Sequence, residues 1–370
     1  MSLGGTEDHP HARMTLESAL AGNPSHAYLF HGPSGVGKGV VARAFAAELL
    51  AAGQADPEGV RRRVQSGVHP DFTWVRPTGA HEMRLEDVDE PVIAGATRTP
   101  FEASRRVFVL ERADTMSDRV ANRMLKTLEE PAPFVHLILL TNALPQVLPT
   151  VVSRCQLVRF DPLPATRIAE LLQAEGVETA RAEACARLAL GNGERARWLA
   201  SEDGQALLAD VDRILGVALA GGGPDPWRGL LERAGERGKE AVTRVAGEGK
   251  KRLEGEPKGR DRTAMERQFE DTAKREERRA KRELLDMALT LAALGLRDLI
   301  CVAEGAPEVA LDPARAERLG GAAHGRDPRR LREAAERCEE VRLSLELNVT
   351  EDLALSALGY RLAGLVGASA

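Results

Sequence analysis

No run of apolar residues in this chain approaches the roughly 20 that a membrane-spanning helix needs. Met1 to His11 are polar and lack a signal-peptide core. Both absences lead us to expect a cytoplasmic protein. Cysteine is scarce: Cys155, Cys185, Cys301 and Cys338 stand far apart and none forms a Cys-x-x-Cys pair. Buried or neutral thiols are expected there rather than a disulfide framework. Basic charge is not in excess either. A formal net charge of -5 argues against a surface that grips nucleic acid all over, while leaving room for a single patch or for contact through an assembly. Aromatics make up 4% of residues, and Ala, Leu, Arg and Glu dominate, which favours helix over sheet.

At 370 residues, two or three domains are expected. Residues 12–161 alternate helical patterns, such as Val40–Leu50 and Asp118–Glu129, with five short apolar runs: Ala27–Phe30, Phe72–Val75, Val107–Leu110, Val135–Leu140 and Gln156–Phe160. That alternation predicts a parallel α/β sheet. Pro162 and Pro164 break the chain, and a small helical domain is expected over 162–203, with Ile168, Leu171 and Leu172 on one face, then Ala186, Leu188 and Leu190. A third, helical domain should fill 204–370, from apolar periodicity over Leu284–Val302, Pro328–Leu347 and Thr350–Val366. Within it, residues 235–283 mix charges of both signs densely, with only Met265 and Phe269 to anchor an apolar stripe. A solvated helix or partly disordered insertion is expected, with a DNA-binding arm as the alternative that the interrupting glutamates weaken.

The first apolar run leads straight into Gly32-Pro33-Ser34-Gly35-Val36-Gly37-Lys38-Gly39. A strand, a glycine-rich loop and a helix in that order make a phosphate-binding P-loop, whose backbone N–H groups form an anion nest and whose lysine reaches the β- and γ-phosphates. The last position should carry a hydroxyl for magnesium, and Gly39 has no side chain. After the third run comes Glu111-Arg112-Ala113-Asp114, where an active ATPase carries Asp-Glu. Glu111 is left as a candidate near a metal. Arg112 occupies the place of the general base, and a guanidinium cannot take a proton. Two losses fall on one reaction, so hydrolysis is not expected.

Four ordered motifs carry a resemblance. His26-Ala27-Tyr28-Leu29-Phe30-His31-Gly32-Pro33, Asn122 to Pro131, Leu139-Leu140-Thr141-Asn142 and Leu148 to Gln156 resemble, in order and spacing, segments of the bacterial clamp-loader branch of the AAA+ proteins. The resemblance covers roughly residues 26–200. It implies an AAA+-type α/β domain, a small helical lid and an all-helical collar. It implies a subunit that helps load a sliding clamp onto primed DNA, with gamma/tau-type ATPases, a delta subunit, the clamp and primer-template DNA as partners. Ser153-Arg154-Cys155 matches that family's arginine-finger motif, so Arg154 is implied to act in trans on a neighbour's ATP. Thr141 and Asn142 match its first sensor, and Arg195 falls where the second would lie.

There are two departures from the family. A four-cysteine zinc module is usual between the P-loop helix and the second strand, but Ala55, Glu58 and Arg61 stand where cysteines would recur; His69 cannot hold zinc alone, and no zinc is expected. The N-terminal segment that helps enclose adenine also looks short, so ATP and magnesium binding are expected to be weak or absent. The rival readings are an active gamma/tau-type ATPase, against which stand Gly39, Arg112 and a chain that stops at Ala370, and an unrelated P-loop adaptor or helicase-loading factor, against which stand Ser153-Arg154-Cys155 and the third helical domain.

Overall fold

The computed structural model describes residues 3–79, 82–253, 260–323, 325–345 and 349–367. They divide into two compact units, 1–168 with 190–195, and 169–189 with 196–370. The stretch expected as a lid, 162–203, is thus shared between the two.

The first unit is built on five parallel strands, β1 (Ala27–His31), β2 (Phe72–Val75), β3 (Arg106–Leu110), β4 (Val135–Thr141) and β5 (Gln156–Arg159), in the order β2-β3-β4-β1-β5. All five fall on the apolar runs of the sequence. Helices α1 (Pro10–Ala21), α2 (Lys38–Ala51), α3 (Pro57–Gln65), α4 (Leu85–Val88), α5 (Asp118–Glu129) and α6 (Pro149–Val152) surround them. Side chains alternate across the sheet. Tyr28, Phe30, Val107, Val109, Ile138 and Leu140 join a cluster with Phe45 and Leu49 of α2. Leu29, Phe108, Leu110, Leu137 and Leu139 join another with Val120, Met124 and Leu128 of α5. Because both faces are covered, the strands read as unbroken apolar runs, and all seven residues of β4 are buried. The carboxyl ends of β1, β3 and β4 lie side by side, and in open α/β sheets that edge is where ligand-binding loops gather.

The second unit is helical, with α7 (Ala165–Ala174) entering it from Ala169, then α8 (Thr179–Leu188), α9 (Gly193–Ala200) from Ala196, α10 (Glu202–Leu219), α11 (Arg228–Leu253), α12 (Arg260–Ala303), α13 (Pro313–Ala323), α14 (Pro328–Ser344) and α15 (Glu351–Val366). Leu190, expected on the apolar face of the lid, is instead exposed with a left-handed φ of 52°, because α8 stops at Leu188 and the chain turns there.

For residues 235–283 the sequence leads one to expect a solvated helix or a partly disordered insertion. Their described part is helical and largely solvated, but it is an antiparallel helix pair with a buried seam, fixed by the approach of Gly238 to Lys281, Arg244 to Glu276 and Gly249 to Phe269. Ala234, Gly238, Ala241, Val245 and Gly249 recur every three or four residues on α11 and are all buried. The apolar seam is made of small residues, so hydropathy hardly registers it. A Cβ on Gly249 would stand 2.9 Å from Cγ of Phe269, so only glycine lets that ring lie against the helix. The Met265 side chain and residues 254–259 lie outside the described residues, as do 346–348 at the end of the Pro328–Leu347 expectation.

Candidate functional site

The P-loop follows β1 and turns through positive φ at Gly32, Gly35 and Gly37, the last starting α2. At Gly35 the constraint is doubled. Its φ is 69°, and a Cβ would fall 1.7 Å from Oδ1 of Asn192. Asn192 belongs to the Gly191–Arg195 segment, where the N–H of Gly193 donates to Gly35 O at 3.1 Å and the N–H of Arg195 to Asn192 Oδ1 at 2.8 Å. Arg195, the second-sensor candidate, therefore lies in a turn that leans on the loop.

Lys38 is only 7% exposed. Its three ammonium hydrogens meet three acceptors: Gly32 O at 2.6 Å, Pro33 O at 2.5 Å and Asn142 Oδ1 at 2.9 Å. Burial pulls its pKa down to about 8, against the opposing pull of Asp114 and then Glu194. The lysine is spent on its own loop and on the sensor. Asn142 and Thr141, at the end of β4, are held by Asp114: Thr141 Oγ1 donates to Asp114 Oδ1 at 2.7 Å, and the Asn142 N–H lies 3.3 Å from the same oxygen. Lys38, Asn142, Asp114 and Thr141 thus form one network across the carboxyl ends of β1, β3 and β4.

The Glu111 carboxylate, the candidate for a place near a metal, accepts from the Trp74 indole at 2.6 Å and from Arg76 Nε at 3.1 Å, which ties it to the β2 side. Arg112 follows with a left-handed φ of 55°, unusual outside glycine. At Gly39, an added Cβ would meet only Trp74, at an ordinary 3.8 Å, so space for a hydroxyl residue exists and the residue is what is missing. The short N-terminal segment packs onto the loop nonetheless: Leu3, Thr6 and His9 are buried, and His9 Nε2 lies 2.7 Å from Val36 O.

Arg154 sits where α6 hands over to β5. Its Nη1 donates to Thr150 O at 2.8 Å, and its Nη2 pairs with Glu129 at the end of α5. The guanidinium is about one-third exposed and Glu129 nearly half. Cys155 beside it is a free thiol whose pKa burial pushes up to about 12; burial likewise holds Cys185 at about 11 and Cys338 at about 12.

Where zinc ligands would be expected, Arg61 pairs with Glu48 and Glu58. His69 is buried, with Nδ1 accepting from the Asp71 N–H at 3.1 Å and Nε2 3.0 Å from Glu102, which also pairs with Arg63. Among the described residues no cluster of three His, Cys, Asp or Glu is placed to hold a metal ion. Sequence reasoning gave no role to Trp74, Asn192 and Glu129. Each acts on a motif from a distant segment, and no spacing within a motif signals it; Glu129 and Asp114 lay inside quoted motifs without their roles being visible.

Residues 9–164 match the family model described as DNA polymerase III, delta subunit. The DNA polymerase III subunit delta' of Pseudomonas aeruginosa is 34% identical over 159 residues, 41% of this chain and 48% of that protein. The subunit delta' of Bacillus subtilis is 34% identical over 154 residues, covering 40% and 46%. The DNA polymerase III subunit tau of Escherichia coli is 29% identical over 262 residues, covering 65% of this chain and 39% of that one. The chain spans about half the length of the delta' relatives it matches.

Proposed function

We infer, from a chain that is clamp-loader delta-prime-like over residues 9–164, that this protein is a non-hydrolysing, AAA+-type subunit of a DNA polymerase III clamp loader. In this reading it works in the cytoplasm beside gamma/tau-type ATPases and a delta subunit, helping to place a sliding clamp on primed DNA. It requires no cofactor of its own, neither ATP with magnesium nor zinc.

The observation that carries the reading is the closed state of the P-loop. A lysine with all three donors engaged by Gly32, Pro33 and Asn142 must give up those bonds before it can reach a phosphate. Nothing at Gly39 can hold magnesium, Glu111 is turned to Trp74 and Arg76, and Arg112 cannot serve as base. Arg154 has a different status. Its pairing with half-exposed Glu129 is worth at most about 1 kcal/mol, so it can be exchanged for a phosphate offered by a neighbouring subunit. The similarity to a tau subunit keeps an active ATPase as the second reading. Magnesium-dependent ATP turnover by the purified chain separates the two: background rates are expected, and an ordinary rate abolished by Lys38→Ala would overturn the proposal.

A further inference from the structure

The helix pair of α11 and α12 carries a feature that its packing does not use. Arg267, Lys274 and Arg278 follow one another on α12 in steps of seven and four, which puts them on one helical face, and Arg275 flanks them. All four are exposed, and none forms an ion pair among the described residues. Their neighbours behave differently: Arg279 pairs with Glu276 and Glu283, and Lys281 with Glu277. Asp271 lies inside the stripe, and Glu270, three residues after Arg267 and four before Lys274, lies at its edge. Residues 235–283 contain sixteen basic and twelve acidic side chains, a net +4 within a chain whose total is -5. Positive charge is thus gathered on this arm.

We propose that the face of α12 bearing Arg267, Lys274, Arg275 and Arg278 is a binding surface for the phosphate backbone of duplex nucleic acid. The stripe is about 16 Å long at the rise of an α-helix, enough to meet several successive phosphates. It offers cations without an accompanying row of apolar side chains, so insertion into a lipid surface is not what it is shaped for. Contacts of these cations with phosphate oxygens carry no sequence information, so binding is independent of sequence. The choice of nucleic acid over an acidic protein rests on the clamp-loader reading above; the charge pattern itself does not.

The test is fluorescence anisotropy of a labelled 30-base-pair duplex titrated with the full chain at 50, 100 and 200 mM salt. Four phosphate contacts give a log–log salt slope near -3.6, or about 150-fold weaker binding across that range. The variant R267Q/K274Q/R275Q/R278Q, in which glutamine keeps helix propensity, should bind at least 10-fold more weakly at 50 mM and lose most of the slope. R181Q/R329Q/R330Q/R332Q removes equal charge from exposed positions elsewhere and should bind as the parent does. Equal losses in both variants, or none in the first, overturn the proposal. So does equally tight binding of polyglutamate or of phosphatidylserine vesicles. A chain that assembles with loader subunits yet ignores duplex sinks this inference and leaves the clamp-loader reading standing.

Discussion

Replacing Arg154 with alanine removes a guanidinium whose local partners are Thr150 O and the half-exposed Glu129. Neither contact holds a core together, so the variant should fold and join a reconstituted loader. The neighbouring ATP site should nevertheless lose on the order of 10³-fold in turnover, diluted in the whole complex by its other sites. Arg154→Lys should recover part of it, because an ammonium lacks the fork that grips two oxygens. Normal assembly with a normal DNA-stimulated ATPase rate would retire the finger. Lys38 offers a second check, on pH. Its folded pKa of about 8 lies below the roughly 10.4 of an unfolded lysine. Between those values the unfolded chain binds more protons, so this residue makes stability rise as pH climbs from about 8 to about 10. Thermal melts should show a rise that Lys38→Met lacks; identical pH profiles would mean that the amine is not buried in its own loop. The motifs holding these residues were legible from order and spacing. The closure of the loop was not, since it depends on Asn142, Asn192 and Asp114 meeting across strand ends.

Among the elements, the strands were the easiest to read. A strand covered on both faces needs an apolar side chain at nearly every position, as in β4, and such runs stand out. The packed seam between α11 and α12 was missed for the opposite reason. Its seam is Ala234, Gly238, Ala241, Val245 and Gly249, which bury little apolar surface each and look like solvent-facing residues in a charged helix. Two glycines of α11 should respond in opposite directions. Gly249→Leu drives a side chain into Phe269 and should cost about 1–3 kcal/mol. Gly247→Ala points into open space and should stabilise by up to about 1 kcal/mol. Amide exchange across residues 228–253 reads both; faster exchange in the first and slower in the second is expected, and matching behaviour would refute the packed seam.

At the scale of the whole molecule, assembly needs a face that the chain leaves unused. The periodic apolar face of α14, Leu331, Ala335, Cys338, Val341 and Leu345, is largely consumed within the second unit: all but Ala335 are buried. Periodicity locates an apolar face but does not say what it packs against. Among the described residues an exposed apolar stripe runs along α15, where Leu353, Ala357 and Tyr360 follow at helical spacing, Tyr360 being 83% exposed. Leu353→Glu with Tyr360→Glu should leave the monomer's melting temperature within a few degrees and abolish entry into the loader on size exclusion; undiminished assembly would place the contact elsewhere. No described helix is long and apolar enough to cross a membrane. The thiols carry a practical consequence. With pKa values of about 12, 11 and 12, Cys155, Cys185 and Cys338 keep roughly one molecule in ten thousand or fewer as thiolate at neutral pH. Maleimide dyes should therefore pass them over and settle on the half-buried Cys301, giving the native chain a single fluorescent reporter on α12 without any engineered cysteine.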